Sequence, residues 1–164
     1  MSYLNLNKEK TNQIADHLNT LLSDYHLYYQ KLRNFHWNIS GRHFFDLHLK
    51  FEEMYNDTLL KIDEIAERIL TLRYQPVSNF SEYLKRSNIK ESKAGLEDVV
   101  MIDTLIEDHG ILLKQLREVA GAASEAEDEG TIDLIGGYIR ELEKTTWMLD
   151  AWRMKSTDNH PKVK

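Results

Sequence analysis

The segment from Phe44 to Leu72 contains neither proline nor glycine and carries two stripes of side chains at helical spacing. Leu47, Phe51, Met54, Thr58, Ile62, Ile65, Ile69 and Leu72 recur three or four apart, which is one apolar face of an α-helix. His48, Glu52, Asp63 and Glu67 each follow a core-side residue (Leu47, Phe51, Ile62, Ala66). A step of one residue rotates them about 100° away from the core. The remaining face, with Lys50, Glu53, Asp57, Lys61, Glu64 and Arg68, reads as a mixed-charge solvated surface. Such a helix has a core side, a water side and a third side free to meet something else.

Three further long helical patterns accompany it. One spans 8–37, marked by Ile14, Leu18, Leu21, Tyr25, Tyr28, Leu32 and Phe35, and stops at Ser40-Gly41. Another spans 94–120, with Val99, Ile102, Leu105, Leu112, Leu116 and Val119, and is expected to end at Gly121. The last spans 131–154, with Ile135, Tyr138, Leu142, Leu149 and Trp152 facing inward. The connection after Pro76 holds a short amphipathic piece at 81–85 that reads as one or two helical turns. Only two prolines interrupt the 164 residues, and 41% of the chain is hydrophobic. The expected fold is therefore all-α: a single domain over 1–164, a four-helix bundle with a short extra helix between the second and third long helices. Residues 1–7 and 155–164 read as loose tails.

Composition narrows the function. Without cysteine there is neither a disulfide nor a thiolate metal site. The start lacks the charged-then-apolar pattern of a secretion signal, and no apolar run has the length of a membrane span, so a cytoplasmic location is expected. A net charge of −6 argues against a dominant nucleic-acid surface.

His48 with Glu52, and Asp63 with Glu67, are each an i,i+4 pair on one helical stripe. At about 1.5 Å per residue the two pairs lie roughly 22 Å apart, so one helix cannot close them on one ion. Two copies packed antiparallel about a two-fold axis near residue 57 or 58 would bring His48 and Glu52 of one against Glu67 and Asp63 of the other, twice. His36, at the end of the first helix, can join as a second imidazole. Two imidazoles and three carboxylates without sulfur suit Fe(II), Mn(II) or Zn(II). Asp63 and Glu67 are like charges one turn apart, unfavourable unless a cation lies between them.

The runs Phe35-His36-Trp37-Asn38-Ile39-Ser40-Gly41, Phe44-Phe45-Asp46-Leu47-His48-Leu49-Lys50-Phe51-Glu52-Glu53-Met54-Tyr55 and Asp63-Glu64-Ile65-Ala66-Glu67-Arg68 resemble the signature of the Dps family, the miniferritins. The resemblance implies a ferritin-like bundle assembled as a hollow dodecamer. It also implies ferroxidase sites at the two-fold interfaces, with a pair of iron ions (Fe2+/Fe3+) at each. Fe(II) is oxidised with hydrogen peroxide or O2, and ferric mineral is stored against oxidative damage. Carried over residue by residue, the metal ligands are His36, His48 and Glu52 of one subunit with Asp63 and Glu67 of its mate. Glu52 stands where many members have Asp and keeps the same donor. A ferritin with its di-iron centre inside one subunit would need Glu-x-x-His motifs, and the chain has none.

Trp37 resembles the family's tryptophan beside the iron site, a radical quencher, and equally fits a packed interfacial aromatic. Trp147 and Trp152 read as core. His17, His26, His43, His109 and His160 read as structural or exposed. In the acidic stretch Glu127, Asp128, Glu129 and Asp133, the helix dipole alone favours acids. The resemblance implies an iron-entry pore at a three-fold axis, with Asp128 and Asp133 the best matches. The other reading, a DNA-compacting protein with basic tails, rests on Lys8 and Lys10 beside Glu9, and on Arg153, Lys155, Lys162 and Lys164 against Asp158. The C-terminal set is a local +3 against a chain at −6.

Overall fold

The computed structural model describes residues 3–154. Among them are five helices and no strands: α1 (Lys8–Asn38), α2 (Phe44–Thr71), α3 (Phe80–Arg86), α4 (Asp98–Glu125) and α5 (Glu129–Arg153). The expected all-α bundle with a short extra helix is the observed architecture.

Local chemistry sets the helix ends. Asn7 opens α1 by accepting from the N–H groups of Glu9 and Lys10. Past its end, Gly41 takes φ +92, where a side chain would be strained. α2 and α4 close in the same way, each with a non-glycine residue in the left-handed region: Arg73 at φ +67 and Glu127 at φ +57. The N–H of Tyr74 reaches Ile69 O at 3.1 Å and that of Asp128 reaches Ala123 O at 2.9 Å, the six-to-one bond of a Schellman end. The stop expected at Gly121 is therefore displaced. Ala122 and Ala123 are buried, so packing carries α4 through the glycine to Glu125. Its start is later than expected too, because Gly95 at φ +74 lies outside the helix.

Side-chain pairs fix the topology. Lys31 meets Asp108, Tyr28 meets His109, and Gln115 reaches His17 O, so α1 and α4 run antiparallel. Arg68 meets Asp128, Glu64 meets Tyr138 and Lys61 meets Glu141, so α2 and α5 do too. With a tight turn joining α1 to α2 and another joining α4 to α5, α2 and α4 point the same way. The chain between them crosses the bundle, carrying α3 onto α1. There Asp24 of α1 accepts from Ser87 Oγ (2.9 Å) and the Asn88 N–H (2.6 Å), and His26 stacks on Tyr83 at 3.9 Å.

One core runs through the bundle, with Tyr25, Phe35 and Phe51 among its largest fully buried side chains. Its middle is polar. Lys31 Nζ lies 2.5 Å from Asp108 Oδ2, with side chains only 3% and 6% exposed. The Thr146 hydroxyl donates to Leu142 O, so it accepts from His109 Nδ1 at 2.7 Å. His109 Nε2 then accepts from the Tyr28 hydroxyl at 2.6 Å. All three groups are satisfied with a neutral imidazole, and burial pushes the His109 pKa down to about 3.

Two surface expectations are corrected. Lys61 is not solvated: it is 5% exposed, with Nζ held 2.5 Å from Asp57 and 2.9 Å from Glu141. Trp147 is not core but 57% exposed, and Trp152 is half-buried, its Nε1 donating to Asp46 at 3.2 Å. His160 and the basic residues from 155 onward lie outside the described residues.

His109 gives the fold an acid sensitivity. Its folded pKa lies below the unfolded 6.5, so the unfolded chain binds the extra proton and stability falls as pH drops from 6.5 toward 3. In denaturant titrations, the pH slopes of unfolding free energy for wild type and His109→Gln should diverge below pH 6.5, the difference approaching one proton, about 1.4 kcal/mol per pH unit, between pH 5.5 and 4.5. Parallel curves would show that His109 titrates normally.

Candidate metal centre

His36 stands in the last turn of α1, and His48 and Glu52 stand in the first turns of α2. The reversal at residues 39–43 lays these two helix ends side by side. His36 Nδ1 then lies 2.8 Å from His48 O, and His48 Nδ1 lies 2.9 Å from His36 O. A carbonyl only accepts, so both Nδ1 atoms carry the proton and both Nε2 atoms present bare lone pairs. His36 O belongs to the last turn of α1, where carbonyls lack a helical partner, so the His48 bond also caps that helix. Each imidazole thereby has the backbone-anchored orientation typical of metal-ligating histidines.

Aromatic packing locks the pair. The two rings stack at 3.8 Å between centroids, tilted by 20°. Phe44 stacks on His48 at 4.8 Å, and Tyr55 meets His36 edge-on at 5.3 Å. Glu52, one turn beyond His48, adds a carboxylate toward which the Tyr55 hydroxyl donates at 3.5 Å. One ligand atom from each of His36, His48 and Glu52 falls within 4.8 Å of the others. His36 is buried and the other two are half-buried. Two imidazoles and one carboxylate with open positions form the donor set of non-haem iron sites.

The chain brings together three of the five expected ligands. Asp63 and Glu67 lie farther along α2 as exposed side chains, outside that group. The exposed stripe on which they sit also carries Leu49, Leu59, Leu60 and Leu70, between 49% and 66% exposed. Leucines uncovered along a ligand stripe mark a face awaiting a partner.

Trp37 is 57% exposed, with the Arg33 guanidinium 4.7 Å from its ring centroid. Asp128 does not fit a pore lining. It is 3% exposed and caps α5, with Oδ1 receiving the Thr131 N–H at 3.1 Å and Arg68 at 2.5 Å, and Oδ2 receiving the Thr131 hydroxyl at 2.6 Å. Arg68 lies so close over this helix start that a Cβ on Gly130 would sit 3.1 Å from it. Asp133 is exposed and free to serve. Lys8 and Lys10 belong to the first turn of α1 rather than to a tail. One residue of consequence escapes the sequence pattern: Tyr55, although its place three residues after Glu52 puts it on the same face. His109, read as structural or exposed, is structural and lies in register with Leu105, Leu112 and Leu116.

Comparison with known proteins agrees with this fold. A ferritin-like domain model matches residues 15–156. A crystal structure of a Dps protein from Vibrio cholerae O1, described as a member of a broad superfamily of ferritin-like diiron-carboxylate proteins, superposes with a TM-score of 0.90 at 45% identity, covering 93% of this chain and 97% of that one. A Dps protein from Bacillus brevis gives 0.85 at 35% identity, covering 88% and 97%. DNA protection during starvation protein 2 of Bacillus anthracis is 41% identical over 140 residues, 85% of this chain and 96% of the relative.

Removing the Nε2 donors tests the centre without redox chemistry. His36→Gly with His48→Gly should weaken Co(II) or Zn(II) binding, measured by calorimetry, by more than the ten- to hundredfold that losing an outer-shell partner costs. Unchanged affinity would place the ion elsewhere.

Proposed function

Because this chain belongs to the Dps family of ferritin-like proteins, we propose that its His36–His48–Glu52 group binds and oxidises Fe(II) at a two-fold interface, completed by Asp63 and Glu67 of a second subunit. The observation that carries this reading is the reciprocal wiring of the two imidazoles. It fixes two bare Nε2 atoms beside a carboxylate, in a group short of oxygen ligands, while the same helix presents two carboxylates on a leucine-flanked exposed stripe.

Iron here is substrate. Two Fe(II) per site supply the two electrons that convert hydrogen peroxide to water, so no hydroxyl radical leaves the site. O2 is the alternative oxidant. The product collects as ferric mineral inside a hollow oligomer, which the family resemblance makes a dodecamer, and Asp133 lines the entry route. Trp37, exposed and next to His36 in the chain, takes up stray oxidising equivalents. No helix among the described residues is long and apolar enough to cross a membrane, and the cytoplasm is the proposed location. DNA compaction is the weaker reading, since Lys8 and Lys10 are ordered on α1 and the chain carries −6.

Stopped-flow mixing of Fe(II)-loaded protein with peroxide under anaerobic conditions should show fast oxidation in wild type, and its loss in the His36→Gly, His48→Gly variant with particle size unchanged by light scattering. Equal rates in both would remove the assignment. Asp133→Asn should slow iron uptake severalfold while leaving oxidation of pre-bound iron alone. If uptake is normal, iron enters by another path.

A further inference from the structure

A connected set of aromatic side chains flanks the ligand group and continues from it along α1. The Tyr55 hydroxyl points at Glu52 across 3.5 Å, and its ring meets the His36 ring edge-on at 5.3 Å. Tyr29 of α1 meets Tyr55 edge to face, at 6.1 Å and 88°. Tyr29, Arg33 and Trp37 succeed one another at four-residue steps on one face of α1, and the Arg33 guanidinium lies over both rings, 5.3 Å from Tyr29 and 4.7 Å from Trp37. Both tyrosines are half-buried. The core phenol of Tyr28 differs: it is committed to His109 and has no contact with the ligand group.

The proposed ferroxidase reaction, on which this inference rests, makes the Tyr55 contact consequential. Peroxide needs two electrons to become water, and one Fe(II) supplies one. A site that has captured a single Fe(II) releases hydroxyl radical unless a second donor touches it. We infer that Tyr55 is that donor, with Tyr29 behind it as the next carrier. At a singly loaded site Fe(II), H2O2, the Tyr55 phenol and one proton give Fe(III), two waters and the Tyr55 phenoxyl radical. The O–O bond breaks; one electron comes from iron and one from the phenol, and the phenol proton with one from solvent completes the two waters. The next Fe(II) to arrive returns an electron to the radical, and a solvent proton restores the phenol. Tyr55 thus lets a half-filled site carry out a two-electron reduction. Electron exchange with Tyr29 moves the oxidising equivalent off the ligand group before it can attack the imidazoles.

The test is freeze-quench electron paramagnetic resonance of the assembled protein, loaded with one Fe(II) per site and mixed anaerobically with one peroxide, with a spin trap for hydroxyl radical in parallel. Wild type should give a tyrosyl signal that narrows on incorporating ring-deuterated tyrosine, and little trapped radical. Tyr55→Phe should lose most of that signal and release severalfold more trapped radical. Tyr29→Phe should keep the radical on Tyr55 and lengthen its life. Should wild type oxidise iron yet give no tyrosyl signal, or Tyr55→Phe match it in both readouts, the relay is overturned and the ferroxidase reading stands. If wild type does not oxidise iron with peroxide at all, the ferroxidase reading itself fails.

Discussion

At the α1–α2 reversal each helix is fastened to the other through an imidazole, with the Nδ1 proton of His36 on the His48 carbonyl and that of His48 on the His36 carbonyl. Everything proposed for this chain depends on that exchange. It selects one tautomer for both rings, stacks them, and leaves Nε2 as the free nitrogen of each. It also supplies a donor for a helix-terminal carbonyl that would otherwise lack one. Orientation of the ligands is thus part of how the two helices are joined. A ligand already oriented loses little freedom on binding, which favours affinity.

The bundle interior explains why the proposed chemistry is assigned to the edge. An internal di-metal site needs carboxylates and imidazoles turned inward from all four helices. Here the corresponding depth holds ammonium groups: Lys31 against Asp108 between α1 and α4, and Lys61 between Asp57 and Glu141 at the α2–α5 seam. The one imidazole in that layer, His109, has both nitrogens committed to Tyr28 and Thr146. A divalent ion placed there would face fixed positive charge and no free nitrogen. Each buried lysine is tolerable only because its carboxylate is in contact, so neither partner can be released to bind metal without stranding the other.

The parts legible in the sequence were those set by periodicity and by short-range spacing. The apolar stripes gave the four long helices and most of their core, though Val99 is 47% exposed, and the two i,i+4 pairs gave a candidate ligand face distinct from it. What stayed hidden depended on residues far apart in the chain. Lys61 reads as solvated because nothing near it in sequence says that Glu141 will close over it. Asp128 reads as one acid in an acidic run, and only Arg68, sixty positions away, shows it to be a buried cap. The end of α4 misled for a local reason: Gly121 is a common terminator, whereas the actual end uses Glu127 in a left-handed conformation that glycine usually adopts.

The division of the five proposed ligands has a further physical consequence. Three are gathered within one chain, while Asp63 and Glu67 stand exposed on a leucine-flanked stripe as uncompensated like charges one turn apart. In the proposed dimer the leucines favour association, and the two carboxylates approach the two imidazoles and Glu52. That would leave three carboxylates close together at each site, a repulsion that a bound cation offsets. Metal binding and subunit association are then reciprocally linked: an ion that prefers the complete site stabilises the dimer, and dimer formation raises affinity for the ion by the same factor. With two equivalent sites on one interface, the linkage acts twice.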